Sequence, residues 1–469
     1  MLLVFWEYTS DMGICNLLQM KLTTSQCKAL LFLIISIIGY TCTKRQQEFS
    51  FTLYYITVLV AIISLISYFK SRKYVNYFNF DTLFVTICYL IGYFATFFYN
   101  QSYYKWLFLF EFDYQYINSG SWLFTIGMNS YFCGSLFMRR SIKQFKTIEE
   151  FIYPTKIIYH LNLVLMLLFV LCGGIEHYQN VYAASGSEGS GLVSYIEILL
   201  VIVSIILIVI DFHNKYINNN YKIHKEYIIS IFLFSFVLLY IGNRTTASML
   251  LLSLLGLYTH WFRCIPLKYF IYFILVAICG MWIVQNTRAG QNINFSSPAL
   301  VFTDMTIPSR SIYESMNYVD EYGYTFGKSM SLGVMGVIPG LAGMIAGENP
   351  EFGSAELLTQ YTYSKLRTPA EYQIGLGTSI ISDTYLSFGI LGTVLLMWIL
   401  GYIIHYFELT SKRGNLYASF IFAVLLANSV FLARASYTHP VRYAIWGIIF
   451  LNLYISLVYT YFKYKSYAP

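Results

Sequence analysis

The chain has 469 residues, 57% of them hydrophobic and only 11% charged, where an ordinary soluble domain is about 25% charged. That balance excludes a soluble enzyme and points to an all-α polytopic membrane protein. The net charge of +7 requires no nucleic-acid partner, because cytoplasmic loops of membrane proteins are rich in Lys and Arg.

In chain order, the residues before Met20 read as neither helix nor leader, which makes Met20 an alternative start. No small-residue cleavage site follows the run from Ala29 to Cys42, so it reads as a first span and not as a signal peptide. Crossing about 30 Å of hydrocarbon takes roughly 17–25 residues. Apolar runs of that kind lie near 28–43, 51–69, 82–99, 119–138, 157–175, 191–211, 226–242, 246–262, 268–285, 383–405, 415–433 and 443–462. They make about twelve expected spans in a single integral membrane domain, 1–469.

The basic residues orient them. Links after even-numbered spans carry Lys70, Arg72 and Lys73, then Arg139, Arg140, Lys143 and Lys146, then Lys215, Lys222 and Lys225. Arg263 and Lys268 follow, and then Lys412 and Arg413. The 176–190 link has Glu176 and Glu188 but no Lys or Arg. The positive-inside rule therefore places both termini in the cytoplasm, with Lys44-Arg45 as a local exception. One dependence stands out: if 226–262 were a single helix, every later segment would change sides.

With this topology, residues 286–382 form one large external loop carrying short helices. A loop of that length is usually functional. Within it, Ser331 to Gly347 is apolar but interrupted by Gly333, Gly336, Pro339, Gly340 and Gly343. Such a segment suits a piece lying on or dipping into the membrane over a cavity mouth better than a thirteenth span. No internal repeat pairs the two halves, which counts against a repeat-built transporter.

The residues with chemistry in them are arginines on the external side: Arg244, Arg288, Arg310, Arg434 and Arg442. Arginine is disfavoured in short external loops and at membrane depth, so each needs an anionic partner. The planar guanidinium matches phosphate oxygens, and the five together suit a lipid diphosphate, although a loop carboxylate or lipid headgroup would satisfy any one of them. His439 stands in Arg434-Ala-Ser-Tyr-Thr-His439-Pro440-Val-Arg442. A helix beginning at Pro440 puts His439 and Arg442 on one side, and flanking cations would keep the imidazole neutral and basic; the bland alternative is a capping or interfacial histidine. Asp383 opens the span after the loop, where a carboxylate serves either as a cap or as a base at the cavity rim. Glu111 and Asp113 are an acidic pair that could hold a divalent cation or simply be solvated. Eight cysteines and seven histidines show neither CxxC nor HExxH spacing, so no metal site is expected. No phosphate-loop, nucleophile-elbow or dinucleotide motif occurs, and no cofactor is expected.

The run Gly375-Leu-Gly-Thr-Ser…Asp383-Thr-Tyr-Leu-Ser-Phe-Gly-Ile-Leu-Gly392 resembles the helix after the large periplasmic loop of Wzy-type O-antigen and capsule repeat-unit polymerases. Asn243-Arg244-Thr245 resembles that family's arginine beside a central helix, and Arg288 fits the arginine opening its loop. Two departures stand: no Arg-x10-Gly motif is found in the loop, and Asp383 occupies a position where Glu is expected. The resemblance implies a metal-independent, GT-C-like glycosyltransferase in the bacterial inner membrane. It would move a growing glycan from undecaprenyl diphosphate to the sugar of an incoming undecaprenyl-diphosphate-linked repeat unit. The arginines would stabilise the leaving diphosphate, and His439 or a loop carboxylate, Asp383 foremost among them, would take the acceptor proton. Membrane lipid and a chain-length regulator protein are the further implied partners. Loop tyrosines, among them Tyr313, Tyr318, Tyr322 and Tyr324, could stack on sugar faces. Two alternatives remain open at this point: an O-antigen ligase, which passes the glycan to lipid A core, and a lipid-linked oligosaccharide flippase.

Overall fold

The computed structural model describes residues 22–44, 48–73, 76–97, 115–138, 152–182, 191–218, 223–288, 306–347, 349–367 and 375–467. Among them every expected apolar run falls on a helix, and there is no strand. The first half comprises α1 (Thr24–Thr43), α2 (Phe51–Arg72), α3 (Phe80–Phe97), α4 (Gln115–Phe137), α5 (Lys156–Leu171), α6 (Gly174–Tyr182) and α7 (Gly191–Ile217). Then come α8 (Lys225–Tyr240), α9 (Arg244–Trp261) and α10 (Leu267–Arg288). The loop holds α11 (Arg310–Tyr322), α12 (Ser331–Met335), α13 (Leu341–Ile345) and α14 (Ser354–Leu366). The bundle closes with α15 (Ile380–Ser411), α16 (Leu416–Asn428) and α17 (Val441–Tyr467).

Length and composition qualify α1, α2, α7, α15 and residues Val441–Thr460 of α17 as membrane-crossing helices. Stretches of α3, α5, α10 and α16 are shorter apolar helices. Helix α16 ends earlier than the 415–433 run suggests. There the Asn428 side chain donates to the Val424 carbonyl and the Ser429 hydroxyl to the Leu426 carbonyl, each at 2.8 Å. Such local side-chain bonds compete with the helix ladder, and the chain passes into a 3₁₀ turn at Leu432–Arg434. The 226–262 run is two helices, α8 and α9, packed against each other. Gly242 (φ 90°) and the Asn243 cap separate them; Asn243 accepts from the Thr246 N–H at 3.2 Å.

The core gathers around α4, α7 and α16, which are buried around most of their circumference. Small residues let α4 and α15 approach closely. A Cβ at Gly134 would lie 1.9 Å from the Trp398 carbonyl oxygen, and one at Gly401 would lie 2.2 Å from that of Tyr131. Close backbone approach of this kind is how helices associate where the surroundings are as apolar as the side chains.

Helix α15 is broken at Gly389 (φ 66°, ψ −154°). The break leaves carbonyls of the preceding turn without helical partners, and buried carbonyls need them. The loop supplies them: Thr325 N–H donates to the Leu386 carbonyl and Phe326 N–H to that of Ser387, each at 3.0 Å. The loop between α10 and α15 is thus hydrogen-bonded into a helix of the bundle.

The far ends of α2 and α15 meet α3 and α4 in a buried charge network. Arg72 pairs with Glu408 at 2.7 Å and with Asp81 at 3.3 Å. Tyr68 donates to Asp81 at 2.6 Å, Tyr131 donates to the same carboxylate, and His405 lies 2.6 Å from the Arg72 guanidinium. The sequence reading counted Arg72 among the loop cations; its side chain is instead only 6% exposed and committed to these partners.

Helices α12 and α13 have five residues each, about 7.5 Å of helix. Neither helix is long enough to cross a membrane by itself. The 331–347 segment presents Val334, Ile338, Met344 and Ile345 on its exposed side.

Candidate active site

The starts of α7 and α17 lie against the 331–347 segment, and the start of α9 is bonded to that of α7. At α9, Asn243 and Thr246 form the helix entrance that carries Arg244 as its first residue. Glu197, in the first turns of α7, holds this entrance. One carboxylate oxygen accepts from the Asn243 amide at 2.7 Å and from the Thr246 hydroxyl. The other accepts from the Tyr178 hydroxyl of α6. Glu197 was missed in the sequence reading. The available signal was a carboxylate deep in the apolar run 191–211, whose other one, Asp211, stands at its end, since ionisable groups inside spans are costly and usually functional.

At α17 the chain turns through Ser436–His439 before the helix begins at Val441. Pro440 is one residue outside the helix, and its carbonyl accepts from the Ala444 N–H at 3.0 Å. The His439 ring packs against Phe431 (centroids 4.7 Å apart) and Tyr443 (5.9 Å). Burial pushes its pKa down to about 4, with a smaller contribution from the Arg442 charge. The imidazole is therefore neutral, and among the described residues its buried Nε2 has no hydrogen-bond partner. The sequence expectation of a neutral histidine beside Arg442 stands, with burial as the larger cause. Arg442 lies over the Tyr443 ring at 5.8 Å, and Tyr443 also lies within electrostatic reach of Glu197. Tyr443 of α17 therefore lies near the carboxylate that holds the Arg244 entrance.

Asp383 is 0% exposed. It does not cap its helix, because Ser379 does so by accepting from the Ser382 N–H at 3.1 Å. Its Oδ2 instead accepts from the Tyr437 N–H at 2.8 Å, anchoring the His439 turn to α15. Its Oδ1 faces the Ser354 hydroxyl but makes no well-formed hydrogen bond.

Three contacts hold the 331–347 segment over this arrangement. Thr438 donates to the Met330 carbonyl at 2.6 Å, the Trp446 indole to the Val337 carbonyl at 2.7 Å, and Gly340 N–H to the Tyr195 hydroxyl at 3.1 Å. A Cβ on Gly336 would lie 3.5 Å from Arg442 Nη1, so this guanidinium sits directly under the segment.

Arg244, Arg442, His439 and Asp383 are thus brought to one region. Arg310 is not. It is 1% exposed inside the loop, where its Nη1 donates to Thr362 at 2.6 Å and burial lowers its pKa to about 10. It joins α11 to α14, because a residue at the first turn of α11 faces inward once the loop folds on itself. Arg434 is half-buried on the 3₁₀ turn packed against α3. Arg288 ends α10, with its side chain outside the described residues. Glu111 and Asp113 also lie outside them. Among the described residues no three His, Cys, Asp or Glu side chains gather as metal ligands.

A neutral imidazole with an open nitrogen, two guanidinium groups and a covering segment can together accept a proton and stabilise a developing oxyanion. No curated protein and no solved structure matches the chain. The family model described as O-antigen polysaccharide polymerase Wzy matches residues 27–465. With that match running almost the full length of the chain, this membrane-embedded helical protein belongs to the Wzy family of glycosyltransferase-type O-antigen polymerases, which act on lipid-linked repeat units.

Proposed function

We propose that the chain transfers a growing glycan from undecaprenyl diphosphate to an incoming undecaprenyl-diphosphate-linked repeat unit. The reaction takes place on the periplasmic face of the bacterial inner membrane. In this reading about twelve helices span the bilayer in a GT-C-like arrangement, both termini are cytoplasmic, and residues 286–382 form the periplasmic loop. The observation that supports it is the neutral His439 beside Arg442, which lies against the 331–347 segment, with the Arg244 entrance held by Glu197 on the neighbouring start of α7.

In the transfer step, the acceptor hydroxyl oxygen attacks the anomeric carbon of the donor while the bond from that carbon to the diphosphate oxygen breaks. His439 Nε2 takes the hydroxyl proton. Undecaprenyl diphosphate leaves as the anion, and Arg244 and Arg442 stabilise the charge that develops on it. Fixed cations suffice for this, so the reading is metal-independent. Asp383 holds the turn that carries His439, and Glu197 holds the turn that carries Arg244. Arg288 and Arg434 extend the cationic rim in the same proposal, whereas Arg310 builds the loop.

Reconstitution with lipid-linked repeat units alone tests the reading. Ladders of longer lipid-linked glycan are expected. Transfer seen only when lipid A core is added would replace polymerase by ligase, and movement of lipid across the bilayer without bond formation would replace it by flippase. A chain-length regulator added to the vesicles should alter the ladder's length distribution without being needed for bond formation.

A further inference from the structure

The loop between α10 and α15 rests on the first two turns of α15 through small polar contacts. Ser311 of α11 meets Ser382 at 2.6 Å, and Ser329 meets Ser387 at 3.1 Å. The N–H groups of Thr325 and Phe326 donate to the carbonyls of Leu386 and Ser387. One further contact of this kind is left open. Ser354, the first residue of α14, is 1% exposed, and Asp383 is 0% exposed. The Ser354 hydroxyl and Asp383 Oδ1 face each other, yet among the described residues neither atom has a well-formed hydrogen bond.

A buried hydroxyl and a buried carboxylate oxygen held apart have both lost water without gaining a partner. A small movement of α14 toward α15 therefore gains a hydrogen bond to a charged group, which is among the stronger kinds. Glu356, in the same turn of α14, acts on Asp383 as a like charge and offers no donor in its place. The other oxygen of Asp383 is already committed, since Oδ2 accepts from the Tyr437 N–H at 2.8 Å, two residues before His439. A carboxylate is planar and rigid, so a grip on Oδ1 also orients Oδ2. The start of α14 adjoins the covering segment as well: a Cβ on Gly353 would lie 2.8 Å from Leu332 Cδ1. Ser354 thus stands where the 331–347 segment, α14 and the carboxylate that anchors the His439 turn come together.

We propose that Ser354 is a positioning residue for the transfer step: as the loop closes over substrate, its hydroxyl donates to Asp383 Oδ1, and this second grip on the carboxylate fixes the turn that carries His439. The inference rests on the transfer reading, in which His439 Nε2 takes the acceptor proton. It makes placement of the base depend on closure of the loop, so that the site is completed only when substrate is enclosed.

The test uses the full chain in proteoliposomes with lipid-linked repeat units. One readout is steady-state ladder synthesis. The other is the rate at which diethyl pyrocarbonate modifies His439 in the presence of repeat unit, followed by mass spectrometry. Ser354→Ala should lower kcat about tenfold, the scale of one hydrogen bond to a charged group. Its KM for the repeat unit should stay within about twofold of wild type, and His439 should be modified faster. Ser354→Thr, which keeps the hydroxyl, should restore both readouts. Asp383→Asn, which can accept from Tyr437 and donate to Ser354, should also leave His439 protected. Adding Ser354→Ala to Asp383→Ala should cause no further loss, because both act through one contact. Wild-type kcat and wild-type His439 reactivity in Ser354→Ala would overturn the proposal. So would a loss that Ser354→Thr does not restore, because Ser354 would then only build the loop. Hydroxyl-dependent protection of His439 with no ladder from wild type would sink the transfer reading and leave the grip on the turn standing. A wild-type ladder with neither readout moved by Ser354→Ala would do the reverse.

Discussion

Two polar clusters, one at each end of the bundle, treat their buried groups differently. At the end formed by the C-termini of α2 and α15, Arg72 reaches two carboxylates, and Asp81 is further held by two tyrosine hydroxyls. At the loop end, His439 Nε2 and Asp383 Oδ1 are buried without a well-formed hydrogen bond. Native proteins rarely leave such atoms unsatisfied, and those that remain call for an explanation. The paired end clamps four helices together. The loop end retains acceptor capacity, which the proposed transfer reading assigns to the incoming repeat unit. The contrast teaches that charge inside an apolar bundle is not by itself a sign of chemistry; unused hydrogen-bonding capacity beside it is the better sign.

Ranked by effect on turnover, four experiments can break or sharpen that contrast. Arg244→Ala and Arg442→Ala should each lower ladder synthesis by about 10²–10³, the usual loss when one charge-stabilising donor is removed, with normal membrane insertion. Near-normal ladders from both would end the diphosphate role. His439→Gln should cost about 10² in rate, as expected for loss of a general base. In wild type the His439 ring resonance should titrate near pH 4. The sign follows from linkage: a histidine depressed below its ordinary 6.5 stabilises the fold fully above that pH, and the contribution is lost as pH falls toward 4. A ring titrating at 6.5 would show that the site is open to water.

Asp383→Asn separates anchor from base. The amide oxygen can still accept from Tyr437, so turnover should stay within about threefold of wild type, whereas loss of a true base costs at least about 10². A hundredfold loss would move Asp383 into the chemistry. Finally, Arg72→Ala at the paired end should cost about 3–5 kcal/mol by stranding buried carboxylates, read as a lower thermal midpoint in detergent. Turnover per folded molecule should not change. If it falls as steeply as for Arg244→Ala, the two ends are not functionally distinct.

The sequence by itself determined the helices, and for a physical reason: apolar runs long enough for the bilayer and turn residues between them act locally. Even the 241–243 turn was legible, because Gly242 and a capping Asn243 are signals within a few residues. The family resemblance around Asn243-Arg244 and Gly375–Gly392 was equally legible, and the family model bears it out over residues 27–465. Only the tertiary structure decided which polar groups meet. Glu197 and Asn243 are 46 residues apart, and Asp383 and Tyr437 are 54 apart. No local pattern reports such contacts. Arg310 and Arg442 look alike in the sequence, yet one is enclosed by α14 and the other lies beneath the 331–347 segment. Their different environments arise from packing between segments distant in the chain.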